Sequence, residues 1–216
     1  LELPVATMLD TKGPEIRIGD FEEYKIELVK GQKFTLTTKD ILGTNEIVSI
    51  TYKNLVNDVS VGKTILLDDG LIEMLVTEIS ETDIVCEVLN GGPISNHKGV
   101  NVPGVVLSMP YISEVDEADL IFGIQTGFDF IAASFARSKE DILQIRSLSN
   151  AYGSNVKIIA KIENLQGIEN IDEILETSDG IMVARGDMGV EIPMEDVNIL
   201  KKSLIKKAVT KGKYVI

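Results

Sequence analysis

The sequence has very little cysteine and histidine, and each scarcity excludes a kind of chemistry. Cys86 is the only cysteine in 216 residues, so no internal disulfide can form, and this usage is typical of the reducing cytosol. His97 is the only histidine, and we interpret it as a surface residue. A catalytic triad built on a histidine base is therefore excluded.

Basic residues are outnumbered, and long apolar runs are missing. Lys and Arg number 21 against 34 Asp and Glu, which gives a net charge of −13. No basic run offers the positive surface that attracts nucleic acid or an anionic membrane. No apolar stretch approaches the ~18 residues of a membrane span, and the first residues carry no secretory signal. The composition is otherwise ordinary for a globular protein, so we predict a soluble cytoplasmic protein with no nucleic-acid or membrane partner.

Both ends of the sequence resemble strands that belong in a core. Residues 5–9 are largely apolar and predict a buried strand, and residues 213–216 begin another. Because chain termini normally lie exposed at the surface, we expect this chain to be a segment of a longer protein. The alternative, that these are edge strands of a complete domain, stays open at this point.

Between Glu15 and Ile112 apolar and polar residues alternate with a period close to two. Residues 24–28, 33–37 and 83–88 each follow this pattern, and glycine-containing turns such as NGGP at 90–93 separate the runs. No stretch of this region has a sustained helical period. The pattern predicts a small antiparallel all-β domain, folded as a compact barrel.

After this region the sequence changes to strands that alternate with helices. Capping sequences at Ser113 and Ser138 each open a helix, and apolar runs at 128–133, 156–161 and 180–184 predict strands. Alternation at this spacing is typical of βαβ units that build a parallel sheet.

These patterns together predict the fold class as α/β plus all-β, an incomplete TIM-type (β/α)8 barrel with an inserted small β-barrel domain. A closed barrel needs eight strands, and the sequence offers about five. The predicted organisation is a barrel strand in 1–13, an inserted β-barrel lid in 14–112, and βα units of the partial barrel in 113–216.

Charged residues gather where the predicted barrel strands end. Lys161 and Glu163 are two residues apart in a strand, so they face the same side, and Gly186 and Asp187 follow the next strand. Two carboxylates from neighbouring strands can reach one ion. Oxygen ligands without clustered histidine or cysteine favour Mg²⁺ or Mn²⁺ over zinc. A purely structural ion pair, and a glycine-rich loop with a capping aspartate, remain open alternatives.

The segment DTKGPEIR at 10–17 follows the first predicted strand and carries charges of both signs. Asp10 and Thr11 offer hard oxygen ligands for a cation, whereas Arg17 offers a planar fork of donors to phosphate. A solvated turn that leads into the next domain is the alternative interpretation.

These motifs resemble those of pyruvate kinases. The main matches are DTKGPEIR at 10–17, KIEN at 161–164 and SDGIMVARGDMGVE at 178–191. Shorter matches are DDG at 68–70, KGVNVPG at 98–104 and ASF at 133–135. The motifs occur in the order and spacing of that family, and the resemblance covers essentially the whole chain.

The resemblance implies phosphoryl transfer from phosphoenolpyruvate to ADP, giving pyruvate and ATP, in a protein that is commonly a homotetramer. It also implies a divalent cofactor, Mg²⁺ (or Mn²⁺), together with K⁺. The residues that match functional positions of the family are Lys161 for catalysis, Lys161, Gly186 and Asp187 for substrate, Arg17 and Lys98 for nucleotide, Glu163 and Asp187 for the divalent ion, and Asp10 and Thr11 for K⁺.

The family pattern includes further segments that do not occur in this sequence. They are an upstream strand with substrate and potassium contacts, a substrate-binding threonine beyond residue 216, and a C-terminal domain. We therefore expect an active parent protein and an inactive isolated chain. Two alternatives stay open: a metal-dependent aldolase or lyase acting on enolates, and a non-enzymatic β interaction module.

Overall fold

The structure is a computed structural model that describes residues 4–216, with Met194 described by its backbone. Residues 1–3 of the predicted segment 1–13 lie outside the described residues. The strands of the described chain are β1 (Met8–Asp10), β2 (Ile16–Arg17), β3 (Lys25–Leu28), β4 (Lys33–Thr37), β5 (Ile47–Ser49), β6 (Thr64–Leu67), β7 (Ile72–Ile79), β8 (Asp83–Val88), β9 (Gly92–Ser95), β10 (Gly99–Asn101), β11 (Phe130–Ala133), β12 (Lys157–Ile162), β13 (Gly180–Val183) and β14 (Tyr214–Val215). The helices of the same range are α1 (Leu55–Asp58), α2 (Glu114–Thr126), α3 (Lys139–Ala151), α4 (Leu165–Glu169), α5 (Ile171–Thr177), α6 (Arg185–Glu191) and α7 (Met194–Thr210).

The chain divides into two compact units. Unit 1 contains the described residues up to Pro14 together with Pro110–Ile216, and unit 2 contains Glu15–Met109. Unit 2 therefore interrupts unit 1 in the sequence between β1 and α2. No helix of residues 4–216 is both long and apolar enough to cross a membrane.

Unit 1 is built on a parallel five-stranded sheet in the order β1-β11-β12-β13-β14. Asp10 at the end of β1 is paired with Ala132, and Ala133 at the end of β11 is paired with Ala160. Because every pairing is parallel, the carboxyl ends of these strands meet along one edge of the sheet. The strands are short apolar runs such as Phe130–Ala133, which suits a sheet that helices cover.

The helices of unit 1 begin at capping residues that the sequence indicates. Ser113 and Asp116 form a reciprocal capping box at the start of α2, and the Ser138 hydroxyl accepts from the third residue of α3. In α7 the buried side chains recur at helical spacing, at Val197, Leu204 and Ala208. The buried side of α7 packs against the core of unit 1.

Unit 2 is a β structure with its own apolar core. Its main sheet has the order β2-β10-β6-β7-β8-β4-β5, and β3 pairs with β9 separately. An isolated bridge joins Ile18, next to β2, with Ile50, next to β5. The first and last strands of this sheet, β2 and β5, are therefore also connected. The predicted alternation is confirmed in β8, where Ile84, Cys86 and Val88 are all fully buried.

Two features of the helices were not predicted from the sequence. Residues 185–191, where the glycines Gly186 and Gly189 suggest a loop, form the short helix α6. This helix follows β13 directly, and its buried Met188 shows that packing outweighs the poor helix propensity of glycine. The apolar residues Val115 and Phe122 of α2 lie on one side of the helix but are each 61% exposed.

Candidate functional site

The carboxyl edge of the unit 1 sheet gathers several polar side chains. Asp10 is the last residue of β1, Ser134 follows β11, and Glu163 follows β12. At this edge the chain leaves each strand to reach the following helix. The residues at the strand ends therefore present their side chains and backbone groups to the space beyond the sheet. The predicted location of the candidate site therefore coincides with a cluster of charged and hydroxyl groups.

Lys161 lies at the centre of this cluster. Its ammonium nitrogen lies 3.0 Å from Oδ1 of Asp10, 2.9 Å from Oγ of Ser134 and 3.1 Å from Oε1 of Glu163. The side chain is 14% exposed. These three contacts match the three hydrogens of an ammonium group, which fixes the direction of the side chain.

The surroundings of Lys161 keep it charged. Burial alone would lower the pKa of this ammonium group, but the negative charge of Glu163 and the hydrogen bond to Asp10 outweigh the burial. The pKa of Lys161 therefore lies above its ordinary value. A cation held in this way can offer positive charge to an incoming anion.

Glu163 is the most deeply buried carboxylate of the cluster, with 3% of the residue exposed. Its Oε2 accepts a hydrogen bond of 2.7 Å from the backbone N–H of Phe135. Burial raises the pKa of Glu163, whereas Phe135 and Lys161 act in the opposite direction, and the negative charge of Asp187 adds a further increase. Burial prevails, so the pKa is above that of an exposed glutamate.

Asp187 and Gly186 lie in the first turn of α6, after β13. Asp187 is exposed, and its negative charge acts on Glu163. A Cβ atom added at Gly186 would meet no atom within 4 Å, so packing within the chain does not require glycine there. Among residues 4–216, no group of three or more histidine, cysteine or acidic side chains is arranged to hold a metal ion.

Asp10 and Thr11, the predicted potassium ligands, are hydrogen-bonded within unit 1. Asp10 contacts Lys161, and the Thr11 hydroxyl donates to the Ala132 carbonyl at 3.2 Å. The same hydroxyl accepts from the backbone N–H of Ser134 at 3.1 Å, and the Thr11 carbonyl accepts from the Ser134 hydroxyl at 2.7 Å. Thr11 thus joins the ends of β1 and β11.

The predicted nucleotide-binding residues lie in unit 2, Arg17 in β2 and Lys98 directly before the neighbouring strand β10. Arg17 in β2 is paired in register with Gly99 of β10, the residue after Lys98. Arg17 donates to both carboxylate oxygens of Glu15 and, through Nη1, to the His97 carbonyl at 2.7 Å. The hydrogen bond to Glu15 is the main reason that the pKa of Arg17 is raised.

Lys98 is also paired with an acidic residue. Its ammonium group lies 2.9 Å from Oδ1 of Asp68, and this hydrogen bond raises the pKa of Lys98. Asp68 and Asp69 both adopt left-handed backbone conformations in the turn that carries them. A phosphate group that bound Lys98 would compete with the Asp68 carboxylate for the same ammonium group.

Sequence reasoning assigned no role to three residues that contact the cluster, although two of them belong to the ASF match at 133–135. Ser134 contacts Lys161, Phe135 contacts Glu163 through its backbone, and the Tyr111 hydroxyl donates to the Ser134 carbonyl at 3.0 Å. The position of Ser134 after an apolar strand is a signal that could have identified it. Tyr111 carries no such signal, because its contact depends on the tertiary structure.

The fold and the site define a partial parallel α/β barrel with a partly buried lysine–carboxylate cluster at the carboxyl ends of its strands. The family model described as pyruvate kinase, barrel domain, matches residues 1–216. The chain belongs to the pyruvate kinase family.

Known relatives agree with this assignment. The chain is 55% identical to a pyruvate kinase of Geobacillus stearothermophilus over 98% of this chain and 37% of the relative. It is 52% identical to a pyruvate kinase of Clostridium acetobutylicum over 100% of this chain and 46% of the relative. A crystal structure of a pyruvate kinase from Cryptosporidium parvum superimposes with a TM-score of 0.90 at 43% identity, covering 98% of this chain and 45% of that one. The chain thus spans less than half the length of these relatives.

Proposed function

We propose that the full-length protein containing this chain transfers a phosphoryl group from phosphoenolpyruvate to ADP, giving pyruvate and ATP. Membership of the pyruvate kinase family supports this activity. The observation that carries the proposal is the ammonium group of Lys161, held among three oxygens in a partly buried position at the carboxyl edge of the sheet. Phosphoryl transfer depends mainly on positioning and on neutralisation of charge, which a fixed cation supplies.

Lys161 is the proposed catalytic residue. Its ammonium group would stabilise negative charge on the transferring phosphoryl group and on the enolate that leaves. Because its direction is already set by Asp10, Ser134 and Glu163, little reorganisation is needed at the moment of reaction. Gly186 and Asp187 are proposed substrate contacts, since the first backbone N–H groups of a helix have no partner within it.

Glu163 and Asp187 are the proposed ligands of Mg²⁺ or Mn²⁺, and their chemistry fits a hard divalent ion. Mg²⁺ is often held by one or two carboxylates, with substrate oxygens and water completing its coordination, so a pair is sufficient. When bound, the ion would neutralise charge on the phosphoryl and substrate oxygens. The oxygens of Asp10 and Thr11, at the end of β1, are the proposed protein ligands of K⁺.

Unit 2 is proposed to be the inserted β-barrel lid that contributes to nucleotide binding. Its residues Glu15–Met109 lie within the predicted lid range 14–112, and the bridge between Ile18 and Ile50 supports a closed sheet. Arg17 and Lys98 would contact the phosphates of ADP, exchanging their acidic partners for phosphate oxygens. Closure of such a lid would exclude water from the phosphoryl group.

The remaining proposals concern the whole protein. We propose a cytoplasmic homotetramer, as the resemblance implies. The 216-residue chain alone is expected to have negligible turnover, because it aligns with less than half of the relatives' length. Formation of pyruvate by the purified chain at a rate close to that of the full-length protein would contradict this expectation.

The activity is tested by measuring pyruvate formation by the full-length protein with each substrate omitted in turn. Turnover that requires both phosphoenolpyruvate and ADP supports the proposal. Cleavage of a keto acid without any nucleotide would overturn it in favour of a metal-dependent aldolase or lyase. Lys98→Ala is expected to weaken the binding of Mg-ADP, whereas Lys63→Ala, which removes an exposed lysine of unit 2, is the matched control.

A further inference from the structure

Two consecutive residues after β11 contact both members of the central ion pair. The hydroxyl of Ser134 accepts from the ammonium group of Lys161 at 2.9 Å. The backbone N–H of Phe135 donates to Oε2 of Glu163 at 2.7 Å. The turn formed by Ser134 and Phe135 therefore sets the positions of the cation and of the buried carboxylate at the same time.

The backbone of this turn adopts a conformation that requires support. Phe135 has φ +52°, in the left-handed region that costs a residue with a side chain roughly 1–2 kcal/mol. The Phe135 N–H, which bonds to Glu163, belongs to the same planar peptide group as the Ser134 carbonyl. Such a conformation persists only where surrounding contacts hold it.

Part of the support comes from β1. The Ser134 N–H donates to the Thr11 hydroxyl, and the Ser134 hydroxyl donates to the Thr11 carbonyl. Gly13 packs directly against the turn, since a Cβ atom added there would lie 2.9 Å from the Ser134 carbonyl oxygen. These contacts leave the Ser134 carbonyl facing a crowded, buried environment.

The Ser134 carbonyl accepts its hydrogen bond from Tyr111. The hydroxyl of Tyr111 donates to it at 3.0 Å, and only 5% of Tyr111 is exposed. Burial raises the pKa of the Tyr111 phenol, so the hydroxyl remains a donor. The guanidinium of Arg137 lies 5.6 Å above the ring, and Arg137 is itself bound to Asp141 of α3. Tyr111 is thus a fixed donor.

We propose that Tyr111 is a positioning residue for the reaction, which acts through the Ser134–Phe135 turn on Lys161 and Glu163. Tyr111 donates its hydrogen bond to the Ser134 carbonyl rather than to either charged group, and its role is to hold the turn in its unfavourable conformation. Without the hydroxyl, the Ser134 carbonyl loses its donor and the turn can relax, which displaces the groups that hold the ion pair. Displacements of about 1 Å are enough to impair a catalytic site. This inference rests on the proposed function for its kinetic consequences.

The test is Tyr111→Phe in the full-length protein, because this change removes the hydroxyl and keeps the ring. We expect kcat to fall about tenfold or more, in line with losses of groups that orient ligands and catalytic side chains, while KM for ADP stays unchanged. We also expect faster hydrogen–deuterium exchange at the Phe135 amide. Tyr152→Phe is the control, since Tyr152 lies partly exposed at the end of α3, and neither readout should change.

The outcomes separate this inference from the proposed function. If the wild type does not convert phosphoenolpyruvate and ADP, the proposed function fails, and exchange at the Phe135 amide still decides the role of Tyr111. Unchanged kcat together with unchanged Phe135 exchange in Tyr111→Phe would overturn the inference. Should Tyr111→Phe fail to fold, Ser134→Ala replaces it. Ser134→Ala removes the hydroxyl that contacts Lys161 and is expected to lower kcat by a similar factor, and unchanged kcat would overturn the inference.

Discussion

The ammonium group of Lys161 lies 3.1 Å from Oε1 of Glu163, the residue two positions further along the chain. Both side chains are largely buried, at 14% and 2% exposed. Buried ion pairs contribute little net stability, because the loss of hydration offsets most of the attraction between the charges. A buried pair at the carboxyl edge of a parallel sheet is therefore better explained by chemistry than by stability, and its members can be tested separately.

Lys161→Met in the full-length protein should lower kcat by at least about 10²-fold. A fixed electrostatic donor in a buried site contributes roughly 3–4 kcal/mol to the stability of a transition state. Methionine has a similar length without the charge. Steady-state pyruvate formation measures the effect, and Lys202→Met, on the exposed side of α7, is the matched control. A fall of less than tenfold would assign Lys161 to a structural role.

Glu163→Gln and Asp187→Asn should each weaken the binding of Mn²⁺ and lower kcat. Each change removes one negative charge and retains the size of the side chain, and glutamine can still accept from the Phe135 N–H. The bound ion is measured directly by electron paramagnetic resonance in the full-length protein. Asp119→Asn removes an exposed charge of α2 and should leave Mn²⁺ binding unchanged. Wild-type Mn²⁺ affinity in both variants would exclude a shared ion.

Gly13→Ala should disturb the cluster more than a comparable glycine substitution elsewhere. Gly13 has φ +73°, and the added Cβ would lie 2.9 Å from the Ser134 carbonyl oxygen. Gly153 has a similar φ of +66° but no atom within 4 Å of an added Cβ, so Gly153→Ala isolates the backbone strain. We expect Gly153→Ala to lose about 1 kcal/mol of stability from its backbone conformation, whereas Gly13→Ala loses more and also lowers kcat. Equal kcat values for the two variants would contradict the close packing of Gly13 on Ser134.

Asp179→Asn should destabilise the chain in a way that depends on pH. Burial alone would raise the pKa of Asp179, but hydrogen bonds from Arg146 and the Ile158 N–H, with the charge of Lys157, lower it. A lowered pKa in the folded state means that the stabilisation is complete above the unfolded pKa of about 3.9 and is lost as pH falls through the folded value.

At pH 7 we expect Asp179→Asn to lower the free energy of unfolding by roughly 1–3 kcal/mol. Below about pH 4 we expect the difference in unfolding free energy between the wild type and this variant to narrow. Urea unfolding of the 216-residue chain across this range measures the gap. Asp172→Asn, which removes an exposed partner of Lys207, should change stability by less than about 1 kcal/mol. A gap between wild type and Asp179→Asn that stays constant down to pH 3 would show that the charge of Asp179 contributes nothing.

The sequence predicted the elements whose local pattern and final packing agree. The alternating residues of β8 are confirmed by burial. The capping box of Ser113 is also confirmed, because it depends on residues close together in the chain. The helix α6 was not predicted, since its glycines disfavour a helix and only the burial of Met188 explains it.

The candidate site was also predictable only where residues close in the sequence specify a contact. Lys161 and Glu163 were expected to face one side, because residues two apart in a strand do so, and their contact confirms it. The contact of Lys161 with Asp10 joins residues 151 positions apart, and no local pattern specifies it. Ser134 is followed by a left-handed backbone at Phe135, which a phenylalanine gives no reason to expect.

The position of unit 2 between β1 and its partner strand has a consequence for biosynthesis. Thr7, just before β1, bonds to Asp129, which is made 122 residues later. At ribosomal rates of about 5–20 residues per second, β1 waits roughly 6–25 seconds for its neighbour. During this interval the residues of unit 2 are made, while β1 lacks β11, the strand it pairs with in this chain. Slowing translation within residues 15–109 should therefore lengthen the period in which this strand is open to chaperones or to mispairing.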